Sequence, residues 1–222
     1  PEPEARVMKI EAVSFDMDGT LIRNTNSVRY LCTLNGKTAE FEELQKLEDE
    51  GSLSWIEGDF RKAQLIEGLR VAEAEAEFDD NIAVIQNTEQ VIGYVKSQGI
   101  RSVLITAGPI QVAHILGTRF GFDAIYGSEY EVIDQRFTGK IIHHLGDTGK
   151  LTCLGDFCSE NDVSLAHCVA IGDSKSDIPL FESCGHSIAI NSSEAVGERA
   201  SEYIITEDLS EIVGILQTWL AQ

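Results

Sequence analysis

Positive charge is what this sequence has least of. Lysine and arginine number 17 against 37 aspartates and glutamates, a formal net charge of −20 over 222 residues. A field of that sign argues against nucleic acid or an anionic membrane surface as partner, since both call for a basic face. It also means that an anionic substrate has to be drawn in by a local cluster of cations. The acidity otherwise serves solubility. No segment approaches the ~20 apolar residues of a membrane span, and the opening Pro1-Glu2-Pro3-Glu4 is unlike a signal peptide. The chain starts on Pro1 instead of Met, so the residues before Met8 read as a processed or ragged end. The five cysteines are odd in number and lack zinc-site spacing, which points to free thiols in a reducing cytoplasm. With 43% hydrophobic residues and 4 prolines, the composition is that of a globular protein large enough for one domain, or for a core carrying a smaller insert.

Against that background stands Asp16-Met17-Asp18-Gly19-Thr20, which ends the apolar run Ala12-Val13-Ser14-Phe15. Alternate side chains of a strand share a face, so a continuing strand aims Asp16 and Asp18 at one spot. Asp-Gly is also common in plain turns. Two carboxylates so close repel, and a hard divalent cation such as Mg²⁺ or a nearby Lys would relieve them. A carboxylate beside Mg²⁺ can attack a phosphoryl group and form an aspartyl-phosphate that water then clears.

The rest of the chain alternates short apolar strands with helices, which predicts a three-layer, Rossmann-like α/β fold with a parallel sheet covered on both faces. Strands are expected at Ile10 to Phe15, Ser102 to Thr106, Ala124 to Gly127, Cys168 to Gly172, Ser187 to Ile190 and Tyr203 to Ile205. A hairpin is expected from Glu129 to Ile133 and Phe137 to Ile142 around Asp134-Gln135-Arg136. Residues 24–80 show helical spacing and no convincing strand; Thr38 and Ser54 are read as caps of two of the helices. They are read as a helical cap inserted after the first strand, with residues 1–23 and 81–222 as the core. Ligands of such sheets bind beyond the carboxyl ends of the strands. Asp16, Thr106 and Asp173 each end an apolar run there.

Phosphoryl transfer assigns roles to these positions. Asp16 is the candidate nucleophile. Asp18 is the candidate acid that protonates the leaving oxygen and then the base that activates water. Thr106 and the backbone N–H of Ala107 would bind phosphoryl oxygens, with Gly108 leaving room. Lys150 at a helix start would supply the positive charge. Asp16, Asp18 and Asp173 are the expected metal carboxylates, Asp177 would orient the metal's water or Lys150 from behind, and Ser176 would touch the phosphate. Gly146-Asp147-Thr148-Gly149-Lys150 suggests a Walker loop, but His144 and Leu151 stand where that loop needs Gly and Ser or Thr. His143 and His144, pointing to opposite faces of a strand, are read as surface.

Taken in order, Asp16-Met17-Asp18-Gly19-Thr20, Thr106, Lys150 and Gly172-Asp173 with Asp177 resemble the four motifs of haloacid dehalogenase superfamily phosphatases. The helical insert and the Ile125 to Ile142 hairpin segment are similar to the phosphoserine phosphatase branch. The resemblance implies a Mg²⁺-dependent hydrolase of a small-molecule phosphomonoester. In that branch a Glu five residues after the first-motif Thr meets the substrate amine, and this chain has Thr25. The branch also often has Ser where Gly19 stands. Its cap Arg, which meets the substrate carboxylate, matches Arg61 or Lys62, and Arg61 is taken as the substrate contact; Trp55 and Phe60 are further cap candidates. A phosphotransferase or mutase would share the aspartyl-phosphate, and a non-catalytic binding protein would share the fold. A dehalogenase would leave Asp18 with no leaving group to protonate.

Overall fold

The computed structural model describes residues 9–222. The readings of the acidic opening and of the start before Met8 lie outside the described residues. Strand β1 (Ala12–Phe15) lies at the centre of a seven-stranded sheet ordered β4-β3-β2-β1-β5-β6-β7. The others are β2 (Arg101–Pro109), β3 (Ala124–Ile133), β4 (Arg136–His143), β5 (Cys168–Gly172), β6 (His186–Ile190) and β7 (Glu202–Ile204). All neighbours pair parallel except β3 with β4. The sheet is therefore mixed at one edge and parallel elsewhere.

Strict alternation divides β1 between two cores. Val13 and Phe15 join Leu104, Val169, Ile171, Ile188 and Ile190 on one face, under the helices α6 (Thr88–Ser97), α7 (Ile110–Phe120) and α11 (Glu211–Leu220). Ala12 joins Val103, Ile105, Ala170 and Ala189 on the other, under α8 (Gly149–Glu160) and α9 (Ile178–Ser183). A run of apolar residues buried on both sides is what a central parallel strand requires. The short helix α10 (Glu194–Gly197) contributes Val196 to the second core.

Between β1 and α6 the described residues form five helices: α1 (Ser27–Leu34), α2 (Thr38–Asp49), α3 (Trp55–Gln64), α4 (Val71–Ala76) and α5 (Phe78–Asn81). Ser54 caps α3 as expected, accepting from the Glu57 N–H at 3.3 Å. Thr38 does not cap α2. It is the first helical residue, and its hydroxyl donates to Thr33 Oγ1 instead.

Four strands run longer than expected, β4 and β6 by one or two residues and β2 and β3 by more. β3 is continuous from Ala124 to Ile133, pairing parallel with β2 through its first half and antiparallel with β4 through its second. The hairpin turns on two residues, Asp134 and Gln135, both left-handed (φ 51° and 62°), the twist that suits a two-residue turn between antiparallel strands. β2 continues past Thr106 to Pro109 because a register shift against β3 lets the chain bend without breaking the ladder.

Phe15 is 1% exposed and meets Phe122 edge-on at 5.7 Å between ring centroids. Phe15→Ala is expected to cost about 3–5 kcal/mol, read as a lowered urea midpoint with an unchanged m-value.

Candidate active site

Three parallel strands deliver the site residues at their carboxyl ends. β1 ends at Phe15, and the Asp16 N–H still donates to the Ile171 carbonyl of β5 at 2.9 Å before the chain turns away. The Asp16 and Asp18 carboxylates take different partners. Asp16 Oδ2 lies 2.9 Å from Lys150 Nζ, and its Oδ1 accepts the Met17 N–H at 2.7 Å. Asp18 turns the other way, accepting the Ser27 N–H at 2.7 Å and the Ser27 hydroxyl at 2.5 Å. Gly108 sits beside that Ser27–Asp18 pair, where a Cβ would collide with the Ser27 hydroxyl.

Lys150 reaches in from the first turn of α8. Its ammonium, 2% exposed, donates to Asp177 Oδ1 at 2.7 Å while paired with Asp16. Burial alone lowers its pKa, but Asp16 and then Asp177 reverse this, and the net shift is upward. The ammonium is charged throughout the physiological range. Asp177 Oδ2 accepts the backbone N–H of both Asp173 and Ser174 and the Ser174 hydroxyl, at 3.0–3.1 Å. This carboxylate folds the turn after β5 around itself. A Cβ on Gly172 would overlap it, so glycine is required there. Asp173 Oδ1 accepts the Thr20 hydroxyl at 2.8 Å, and Gly19, at φ 81°, passes so close to Asp173 that a Cβ would strike its carboxylate.

Oxygens of Asp16, Asp173 and Asp177 lie within 4.8 Å of one another. Asp177 lies in this grouping, while the Asp18 carboxylate is turned to Ser27. Three carboxylates against one lysine leave an excess of two negative charges, which fits a hard divalent cation such as Mg²⁺. The electrostatics agree. Burial first, then Asp177, holds Asp16 well above the usual carboxylate range. Burial and Asp177 lift Asp173 to about 6. Asp18 also rises to about 6, chiefly by burial, with its Ser27 hydrogen bonds opposing the shift.

Of these acids, Asp16 and Asp18 open onto a cavity of about 400 Å³. Thr106, Ala107, Gly108, Lys150 and Ser176 line it with Asp16 and Asp18, as expected. Arg61 does not. It lies on the outer face of α3, half exposed and paired with Glu57 one helical turn away, while Lys62, the next residue, turns inward to the cavity. Thr25 is not among the cavity residues either. Trp55 lines the wall and donates to Asp147 at 3.2 Å, whereas Phe60 is 42% exposed and stacks on His144. His144 corrects the surface reading. Its side chain is 5% exposed, Nε2 meets Asp59 at 2.9 Å, and Nδ1 accepts the Gly146 N–H. Sequence reasoning missed Ser27, Gln45, Glu48, Asp59 and Lys175. On helices rich in charge nothing marks which acid turns inward.

A carboxyl whose pKa is raised in the folded chain contributes stability that is full below its unfolded pKa, near 3.9, and is lost as pH rises through its folded value. For Asp173 that window runs from about 4 to about 6. Mg²⁺ should offset the loss where the acids are ionised. Calorimetry is therefore expected to show Mg²⁺ raising Tm at pH 7.5 by several degrees and by much less at pH 5. Asp173→Asn should raise the metal-free Tm at pH 7.5 by about 2–4 °C and abolish the Mg²⁺ response.

The haloacid dehalogenase-like hydrolase family model matches residues 13–182, which span every element of this site from β1 to α9. A phosphoserine phosphatase of Archaeoglobus fulgidus is 24% identical over 206 residues, covering 92% of this chain; the chain spans only 59% of that protein's length. A phosphoserine phosphatase of Halobacterium salinarum is 25% identical over 198 residues, covering 88% of this chain and 93% of its own. The fold matches a structure described as a phospho-aspartyl intermediate analogue of phosphoserine phosphatase, with a TM-score of 0.80 at 23% identity over 93% of this chain and 99% of that one. With the family model covering most of the chain and the motif residues converging as described, this protein belongs to the haloacid dehalogenase-like hydrolases.

Proposed function

We propose that the protein is a phosphomonoester hydrolase that works through an aspartyl-phosphate on Asp16. The observation that carries this is the meeting of Asp16, Lys150, Asp173 and Asp177, from separate strand ends and a helix start, beside a cavity lined by Asp16 and Lys150 together with Asp18 and Thr106. In this reading residues 24–80 act as a cap over the core, and the substrate is a small phosphorylated molecule. The five free thiols support a reducing, cytoplasmic setting.

Asp16 attacks phosphorus with the carboxylate oxygen that Lys150 holds in place. Asp18 gives its proton to the departing alcohol oxygen as the P–O bond breaks, and a pKa near 6 suits a group that must both give and take a proton near neutrality. Ionised Asp18 then takes a proton from water, which attacks the acyl phosphate and releases inorganic phosphate. Thr106 and Ala107 hold phosphoryl oxygens, Ser176 contacts the phosphate at the rim, and Lys150 balances the charge that accumulates. Asp16 and Asp173 are the direct ligands for Mg²⁺, because both oxygens of Asp177 are already committed to Lys150 and the β5 turn; Asp177 orients the others. Mg²⁺ bound there would supply Lewis-acid stabilisation of the phosphoryl oxygens.

Purified protein with Mg²⁺ is expected to release inorganic phosphate from p-nitrophenyl phosphate and from a panel of small phosphomonoesters that includes phosphoserine. Asp16→Asn should reduce turnover by about 10³-fold or more with Tm changed by no more than a few degrees. Retained turnover in that variant would remove Asp16 as nucleophile. Transfer to added alcohols without phosphate release would reassign the protein as a phosphotransferase.

A further inference from the structure

Helices α2 and α3 supply Gln45, Glu48, Trp55, Asp59 and Lys62 to the cavity wall. Lys62 is the one cation in that group, and it is fully engaged. Its Nζ lies 2.7 Å from Glu48 Oε1, donates to Gln45 Oε1 at 2.9 Å, and stands 4.8 Å from the centroid of the Phe41 ring. Both side chains of the ion pair are shielded, at 4% and 12% exposure. The Glu48 carboxylate is seated in a notch that exists only because residue 58 is glycine, since a Cβ there would overlap the Glu48 carboxylate. The pair is thus built into the wall.

The other cations lining the cavity come from other elements. Lys150 is held by Asp16 and Asp177, and Lys175 sits on the exposed turn after β5 with Ser174 and Ser176. A carboxylate on the leaving alcohol that faces the α2–α3 wall would therefore meet Glu48 and Asp59 with Lys62 already paired. To use Lys62 it would have to share one ammonium with the largely shielded Glu48, and two carboxylates at one cation repel. Resting on the phosphomonoesterase reading above, we propose that Glu48 masks Lys62 and makes the cavity select phosphomonoesters whose alcohol carries no carboxylate. Glu48 is then a specificity-determining residue, and the preferred substrates are esters of simple amino alcohols or polyols.

Phosphoethanolamine and phosphoserine share the amine and differ by a carboxylate, so the ratio of their kcat/KM values isolates the effect and cancels the fraction of active protein. The wild type should favour phosphoethanolamine by about tenfold or more. Glu48→Gln, which keeps the shape and removes the charge, should shift the ratio toward phosphoserine by about tenfold, roughly the factor a single charge-assisted hydrogen bond provides. Gly58→Ala, which unseats the same carboxylate without deleting it, should shift it in the same direction, and this variant decides the matter if Glu48→Gln does not fold. Adding Lys62→Met to Glu48→Gln should cancel the gain. Wild-type preference for phosphoserine, or a ratio indifferent to both Glu48→Gln and Gly58→Ala, would overturn the proposal. Hydrolysis of p-nitrophenyl phosphate in that case would leave the phosphomonoesterase reading standing, whereas wild-type protein inert to all three esters with Mg²⁺ would overturn both.

Discussion

The buried ammonium of Lys150 between Asp16 and Asp177 is the interaction on which the site depends. Three ionised groups with at most 5% exposure cannot remain in a protein interior unless each has a partner. Remove the lysine and two carboxylates face each other a few ångströms from a third, Asp173. Remove either acid and the ammonium keeps the other as its partner, so one acid alone can be lost without stranding the charge. The pairing also sets direction, because a lysine at the start of α8 reaches the end of β1 only if that helix lies against the correct face of the sheet. Leu154, Phe157 and Cys158 hold it there from the second core. The packing of an ordinary amphipathic helix thus becomes the positioning of a charge.

Backbone clearance does the rest. The turn after β1 and the turn after β5 approach each other closely enough that Gly19 lies against Asp173, and within the β5 turn Gly172 lies against Asp177. Both contacts exclude a Cβ, so the acids are crowded by design of the loops and not by their own attraction. Burial first, and the neighbouring Asp177 second, make Asp16 and Asp173 hold their protons more tightly than free carboxyls do. Electrostatic strain of this kind costs stability in the metal-free chain and is the affinity that a divalent ion would draw on. Asp18 is spared the crowding by Ser27, which fixes its carboxylate with two hydrogen bonds and leaves it apart from the metal cluster.

The helical segment after β1 works by different physics. Lys62 of α3 pairs with Glu48 of α2 across the two helices, Asp59 of α3 meets His144 beyond β4, and Lys62, Glu48 and Asp59 line the cavity. In the proposed function the core side handles the phosphoryl group and the α2–α3 side meets whatever the phosphate is attached to. A chain with a net charge of −20 would then need its few cations where the phosphate goes. Lys150 would meet that need, while Lys62 is neutralised within the wall.

Much of this was legible in the residues alone. Apolar runs of four or five residues ending in Asp16, Thr106 and Asp173 announced strands whose carboxyl ends share a rim, since a buried parallel strand must be apolar on both faces and then stop. The order and spacing of those ends, with Lys150 at a helix start, were enough to indicate phosphoryl chemistry. Side-chain direction was not legible, because it depends on where a strand ends to within one residue and on which turn of a helix faces inward. Ser27 turned the Asp18 carboxylate aside, and bonds to Lys150 and the turn after β5 brought Asp177 beside Asp16. One helical step, about 100° of rotation, put Arg61 in solvent and Lys62 in the cavity. Local pattern determines which elements form and what chemistry they carry; the packing of those elements against one another decides which charged groups meet, because that meeting is set by contacts between residues far apart in the chain.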